Sequence, residues 1–472
     1  MNVSEFRWTV GLLVLLIPAC TLAPPGSRMD EAGGAPGSWT ATREGKAGID
    51  DRWVDRFGDR KLSRLVAEGY ESNRDLRAAA ARVERAAAVA KGAGAAARPQ
   101  VNAALDASRR GQNFIGLPVG GGGGVLSSIT NTYGAQLNLS WEIDLWGKIR
   151  AGEQAALADL QSQGYAYRGA RASLAAQIVR SWLLVAETNE QIALAEKVLK
   201  VRKDTAELVR GRFELAAGGQ EASASQLRLA ETDVATAEAA LAQRKGDRDQ
   251  AIRQLEILLG RYPSAELVGA AELPGLSSMP PSGLPSELLL RRPDILTAER
   301  QLAAAGKRID EARRAFYPSF KLTAGGGQST DQLQNIFDSD FGVWSIAGQV
   351  VQPILSGGQL KSQLEARNAE EREALANLQQ TVLGGFGEVE TALAADRFLA
   401  ARAKSIEDAF ELADESAKSA ERDFSLGTGD VLTLLAAQSR RIELATQRVT
   451  LKRLRLDNRV NLHLALGGDY RI

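Results

Sequence analysis

The chain is written twice, and that repetition limits its fold more than any other feature. Asn73-Arg74-Asp75-Leu76-Arg77-Ala78 opens a helical stretch reaching Ala97-Arg98-Pro99. Arg292-Pro293-Asp294-Ile295-Leu296-Thr297 opens another reaching Phe316-Tyr317-Pro318. Asp75 with Asp294, and Pro99 with Pro318, share an offset of 219 residues. Farther on, the stretch from Trp141 to Lys148 aligns with Gln352 to Gln359 at an offset of 211. The 8 residues lost between these offsets fall in the first copy's loop around Gly120 to Gly124. Phe213 then matches Phe424, and Leu259-Gly260 matches Leu466-Gly467. By length the 472 residues would suggest about three ordinary domains. Two tandem copies, over 51–262 and 286–472, describe them better. The connection, 263–285, carries Pro263, Pro274, Pro280, Pro281 and Pro285.

Each copy reads helix, strand, loop, strand, long helix, turn, helix. The clearest strand alternates Ala135, Leu137, Leu139, Trp141, Ile143 and Leu145 with Gln136, Asn138, Ser140, Glu142 and Asp144. About ten alternating residues suit a transmembrane β-strand, whose every second side chain faces lipid, and equally a half-buried strand of a soluble sandwich. Phe320 to Ala324 and Trp344 to Val350 give two further strands, and Val101 to Ser108 a weaker first one. No Pro interrupts Ala151 to Glu214 or Gln359 to Leu426. As helices these would run about 100 Å, too long for a compact core. Their partners show seven-residue registers, Leu227, Val234, Leu241 and Leu255 in one, Leu435, Ile442, Val449 and Leu456 in the other, which predict coiled-coil packing. His463 continues the second register and reads as a buried seam residue. Ala216-Ala217-Gly218-Gly219 and Leu426-Gly427-Thr428-Gly429-Asp430 mark the hairpin turns, with Asp430 as an N-cap.

Composition argues against chemistry. Lys and Arg number 58, as do Asp and Glu, so no net basic charge invites nucleic acid. One Cys and one His remove most metal and redox sites and most nucleophilic triads. No pair of carboxylates is marked as acid and base, and no cofactor motif is present: Gly120–Gly124 lacks the Lys-Ser/Thr ending of a phosphate loop. The chain reads as a non-enzyme without cofactor or metal. Arg291 and Arg292 read as structural, with Pro293 at a helix start, Asp294 in its first turn, and the arginines pinning neighbouring carboxylates or carbonyls.

Trp8 to Ala19 is an apolar run of signal-peptide length, too short to span a bilayer. It ends Leu16-Ile17-Pro18-Ala19-Cys20, which resembles the lipobox of bacterial lipoproteins. That resemblance implies removal of residues 1–19 and lipidation of Cys20, with Thr21 directing the product to the outer membrane. An ordinary signal peptide with an incidental Cys is the alternative. Residues 20–50, rich in Gly, Pro, Ser and Ala, read as a tether.

Leu289-Leu290-Arg291-Arg292-Pro293-Asp294-Ile295, Ala298-Glu299 and Phe316-Tyr317-Pro318-Ser319 resemble the outer-membrane efflux channel family, the TolC-like proteins. Trp53, Phe57, Asp59, Leu62, Leu65 and Asn73 to Leu76 resemble its opening segment, and Trp141 to Gly147 and Gln352-Pro353 the ends of its second and fourth strands. Gly427, Leu432, Leu434-Leu435 and Ala437-Gln438 resemble its second periplasmic turn. With the lipobox, the match is to the NodT-type lipoprotein branch. The resemblance implies an α+β membrane fold: a homotrimer giving four strands per chain to one 12-stranded barrel, continued by a coiled-coil helical barrel in the periplasm. It further implies passive conduction, with a periplasmic adaptor and an inner-membrane pump of RND type as partners and outer-membrane lipid around the barrel. A periplasmic gate ringed by acidic residues follows, for which Asp430, Asp423 and Glu421 are candidates; Asp430 reads equally as a helix cap alone. A type I secretion duct and a non-conducting coiled-coil lipoprotein scaffold remain rival readings.

Overall fold

The computed structural model describes residues 25–41, 52–114, 126–215, 224–276, 278–280, 283 and 285–468. The signal segment, Cys20, the Gly120–Gly124 loop and the Ala216–Gly219 turn lie outside the described residues. Asp59 accepts from the N–H groups of Lys61 and Leu62 and starts α1 (Arg60–Ser72); Asn73 accepts from Leu76 and starts α2 (Arg74–Ala95). Then follow β1 (Gln100–Phe114), β2 (Leu126–Ile143), α3 (Lys148–Leu215) and α4 (Ala224–Leu258). The order returns as α5 (Pro285–Arg291), α6 (Pro293–Arg314), β3 (Ser319–Thr330), β4 (Gly342–Val351), α7 (Gln359–Ser425) and α8 (Val431–Ala465).

The four strands form one antiparallel meander in the order β1-β2-β3-β4. All four are longer than their alternation predicts, although β2 stops at Ile143, before the predicted Leu145; β1 pairs with β2 as far as Phe114 opposite Leu126. Beyond Ala107 both faces carry Arg, Gly, Gln and Asn, so the ladder of backbone bonds continues where side-chain contrast has ended.

α3 and α7 contain 68 and 67 residues, hence about 100 Å each. α4 and α8, with 35 residues each, reach back only part of that length. α2 continues the line of α4, and α6 that of α8, through two equivalent joints. Asn73 Nδ2 donates to the Leu258 carbonyl at 2.9 Å, and Arg292 Nη1 to the Ala465 carbonyl at 3.1 Å. Both α4 and α8 end on a left-handed glycine, Gly260 (φ +72°) and Gly467 (φ +74°). A Cβ on Gly260 would stand 2.5 Å from the Ser72 carbonyl oxygen, so the joint needs glycine for space as well as for φ.

The main core lies at these joints, midway along the helices. Trp53, Leu62, Ile178, Trp182, Leu255 and Leu456 are all buried there, and His463 stacks on Trp53 with centroids 5.3 Å apart. A smaller core of Val209, Phe424, Val431 and Leu435 holds the far ends of α3, α7 and α8 together. In the second seven-residue register Leu435 and Leu456 are buried, while Val449 borders a groove of about 790 Å³ between α3 and α7. One expectation is corrected: residues 25–41 are no free tether. Ala32 packs on Ile295 and Leu378, and Trp39 on Leu288 and Val389, so this polar, Gly-rich segment is a strap across α6 and α7.

Candidate conduit and its periplasmic tip

Strand register sorts the sheet's side chains into two unlike faces. One face carries the rows Val101–Leu139–Ala324–Ile346, Ala103–Leu137–Gly326–Trp344 and Ile143–Phe320–Val350. The other carries Asn102–Asn138–Gly325–Ser345, Gln100–Ser140–Thr323–Ala347 and Glu142–Lys321–Gln349. Among the described residues no layer covers the apolar face: Leu105 is 82% exposed and Trp344 81%. In a soluble sandwich these residues would be the core, so the sandwich reading fails. An uncovered apolar face backed by a polar one is what a strand set between lipid and water requires.

Aromatic rings collect where the strands meet the helices. Trp146 lies 5.3 Å from Tyr317 and 6.5 Å from Phe320, and its Nε1 donates to the Pro318 carbonyl at 2.9 Å. Trp141 Nε1 donates to the Ala97 carbonyl at 2.9 Å. Amphipathic rings of this kind suit a membrane–water boundary. Asp144 then starts α3 by accepting from the N–H groups of Ile149 and Arg150. In the second copy Gln352 Nε2 repeats the Trp141 contact by donating to the Phe316 carbonyl at 3.0 Å, while Leu355 stands in the place of Asp144 and α7 starts at Gly358 without a side-chain cap.

The Arg291–Asp294 stretch is the α5–α6 corner. Pro293 opens α6, and Arg292, 6% exposed, reaches in three directions. It meets Asp294 through Nε at 3.0 Å and Nη2 at 2.6 Å, and Glu388 of α7 at 2.7 Å, besides Ala465. Burial works against its charge, but the carboxylates of Asp294 and Glu388 more than offset this and hold its pKa above the usual value. Gly385 makes the space: a Cβ there would sit 3.3 Å from Arg292 Nε. Arg291 contributes its backbone, against which Gly467 packs.

The α7–α8 turn forms the far tip. Thr428 and Gly429 both donate their N–H to the Asp423 carbonyl at 3.0 Å, around Gly427 at φ +80°. Asp430 caps α8: Oδ1 accepts from the N–H of Leu432 and Thr433 at 2.8 and 3.0 Å, and Oδ2 from the Thr433 hydroxyl at 2.6 Å. The Thr433 hydroxyl first, then the two amides, hold its carboxyl below the usual range. Asp423 and Asp430 are exposed at the turn. Glu421 is set back from them, accepting from Gln438 at 3.2 Å and pairing with Arg441 at 3.4 Å.

Behind Glu421 lies a network that the sequence reading missed. Arg202 of α3 is buried and donates to Gln438 at 3.1 Å and Ser439 at 2.7 Å, while pairing with Asp233 of α4 at 3.2 Å. Burial pulls its guanidinium below the usual value, against the opposing pull of Asp233. The available signal was Gln438, a polar residue three positions after Leu435 on an otherwise apolar seam.

A sheet with one lipid-type and one water-type face, running directly into helices of about 100 Å, defines a segment of a membrane barrel continued by a helical tunnel. The family model described as outer membrane efflux protein matches residues 65–261 and 284–468. A Salmonella typhimurium protein named "Probable outer membrane lipoprotein SilC" is 30% identical over 426 residues, covering 89% of this chain and 88% of its own. The antibiotic efflux pump outer membrane protein ArpC of Pseudomonas putida is 31% identical over 428 residues, covering 90% and 86%. The solved outer-membrane channel OprN superposes with a TM-score of 0.85 at 24% identity, covering 95% of this chain and 99% of that one. The chain belongs to the outer membrane efflux protein family, and its place is the outer membrane.

Proposed function

We propose that the chain is the exit channel of a tripartite efflux system, passively conducting substrates that an inner-membrane pump, of RND type, has energised and a periplasmic adaptor has passed on. The observation that carries this reading is the mainly polar face that crosses all four strands behind the bare apolar one, leading into the tunnel-length helices. β1 and β4 each leave an open edge, which lipid does not tolerate. Three copies joined edge to edge make a closed 12-stranded barrel, so the working unit is a homotrimer in outer-membrane lipid. Cys20 carries the lipid anchor once residues 1–19 are removed. The Asp423 and Asp430 carboxylates at the turn, with Glu421 behind them, form the periplasmic gate. No step of this function calls for a catalytic group, a cofactor or nucleic acid.

The test is single-channel recording of the purified protein in planar bilayers, combined with drug susceptibility of a strain lacking the gene. Stepwise conductance with drug hypersensitivity supports the reading. Conductance with normal susceptibility and a lost secreted protein favours a type I secretion duct, and silence of a correctly assembled trimer leaves a scaffold.

A further inference from the structure

The pairing of β1 with β2 outruns the rest of the sheet. β3 leaves β2 at Tyr133–Thr330, whereas β1 and β2 stay paired from Ser108–Thr132 to Phe114–Leu126. A two-stranded ribbon therefore projects past the four-stranded part, at the end away from the helices. Its charge is one-sided. Over 108–114 and 126–132 the only charged residues are Arg109 and Arg110, set among Ser, Thr, Asn and Gln.

Register gives the two arginines to opposite faces. Arg109, opposite Asn131, is exposed and continues the lipid-type face outward from Leu105–Ala135 and Ala107–Tyr133. Arg110, opposite Thr130, lies on the polar face. The ten residues of β2 from Ile143 to Tyr133 cover about 34 Å of strand, or about 26 Å of height at a tilt of about 40°. The lipid-facing band of an outer-membrane barrel is about 25 Å tall and is flanked by aromatic girdles. Phe320, opposite Ile143 and beside Trp146, marks one girdle, and Tyr133 marks the other. Arg109 stands one row beyond Tyr133, about 5 Å higher, in the headgroup layer of the outer leaflet.

Among the described residues, this face offers Arg109 no carboxylate. Asp106, the one acidic residue of β1, belongs to the polar face, where it lies over Gly134. Asp331, Asp338 and Asp340 belong to the β3–β4 connection. The outer leaflet of an outer membrane presents phosphorylated glucosamines, and Arg meets phosphate through a planar fork of donors. Asn131 adds an amide donor on the same face, directly across the ladder from Arg109.

We propose that the β1–β2 ribbon holds the phosphorylated glucosamine headgroup of an outer-leaflet glycolipid, with Arg109 on the phosphate and Asn131 beside it. The site rests on the facing of the sheet and on the outer-membrane placement, and it stands whether or not the channel conducts. The test titrates the purified, delipidated full chain in detergent with diphosphoryl lipid A and counts bound lipid by native mass spectrometry. The heat-modifiable band on semi-native gels verifies the barrel of each variant. Arg109→Gln is expected to weaken binding about fivefold, the share of one arginine at an anionic membrane surface. Arg109→Lys keeps the charge and should recover part of that loss. Arg110→Gln removes the neighbouring charge from the other face and should bind as the unaltered chain does. Equal losses in Arg109→Gln and Arg110→Gln overturn the site, because the ribbon's net charge alone would then account for binding. Undiminished binding by Arg109→Gln overturns it as well. Lipid A stripped of its phosphates should bind the unaltered chain and Arg109→Gln equally; a persisting difference removes phosphate as the contact. Displacement of lipid A by millimolar inorganic phosphate would assign Arg109 to a free anion and overturn the lipid.

Discussion

At the scale of single residues, the molecule relies on side chains that stop or join helices. Arg292 joins α6, α7 and α8, and no other side chain of similar length offers donors in three directions. Arg292→Met should lower stability by about 2 kcal/mol or more, the usual cost of losing hydrogen bonds to charged partners, and Arg292→Lys should recover only part. Thermal unfolding followed by circular dichroism checks both. Asp430 has two roles to separate. As a cap, its carboxyl is depressed in the fold, so it contributes stability above the ordinary Asp value of about 3.9 and loses it as pH falls through the lower folded value. Exchange of amides 431–434, corrected for intrinsic rate, should therefore be the same at pH 5 and pH 8. As a gate residue, Asp430→Asn should keep part of the cap yet weaken cation preference in single-channel recordings. Unchanged selectivity would leave only the cap. The Asp430 cap was legible in the sequence because a cap is local; Glu421 as the partner of Arg441 was not, because 20 residues of hairpin separate them.

At the scale of elements, the two faces of the sheet make opposite demands. Leu137→Arg puts a charge on the lipid-type face, at a cost of about 2–4 kcal/mol if it lies at mid-depth. The expected result is loss of the heat-modifiable barrel band on semi-native gels. Asn138→Arg, one residue on, points to the other face and should leave the band intact while changing conductance; if both residues behave alike, the facing is wrong. Gly327 sits where β3 passes close to β2, and a Cβ there would lie 2.0 Å from the Ala135 carbonyl oxygen. Gly327→Ala should therefore disrupt β2–β3 pairing, seen as the same band loss, although alanine is small. The strands were legible wherever lipid and water demand unlike side chains. They were invisible past Ala107, where both faces are polar and only backbone bonds continue.

At the scale of the whole molecule, one chain is an incomplete object. Its sheet has two open edges and an apolar face, and its long helices carry exposed residues such as Leu383, Phe398 and Leu412 on α7. Native mass spectrometry in detergent should give three copies, and a stable monomer with an intact sheet would contradict the closed barrel. The 25–41 strap shows why composition misleads at this scale. Its Gly, Pro and Ser content describes a tether, but Trp39, Ala32 and the backbone between Pro25 and Arg28 find a prepared seat on α6 and α7.

The sequence alone determined the doubled plan, the long helices, the alternating strands and the corner residues. Each of these is a local pattern set by helix or strand period, by a cap, or by proline's missing donor. The tertiary structure decided which sheet face is bare, that Arg202 and Gln438 tie three helices behind the tip, and that Arg300 of α6 holds the strap by donating to the Pro25 and Gly26 carbonyls. Those facts depend on residues far apart in the chain meeting in a buried place, where a charge or carbonyl must find a partner.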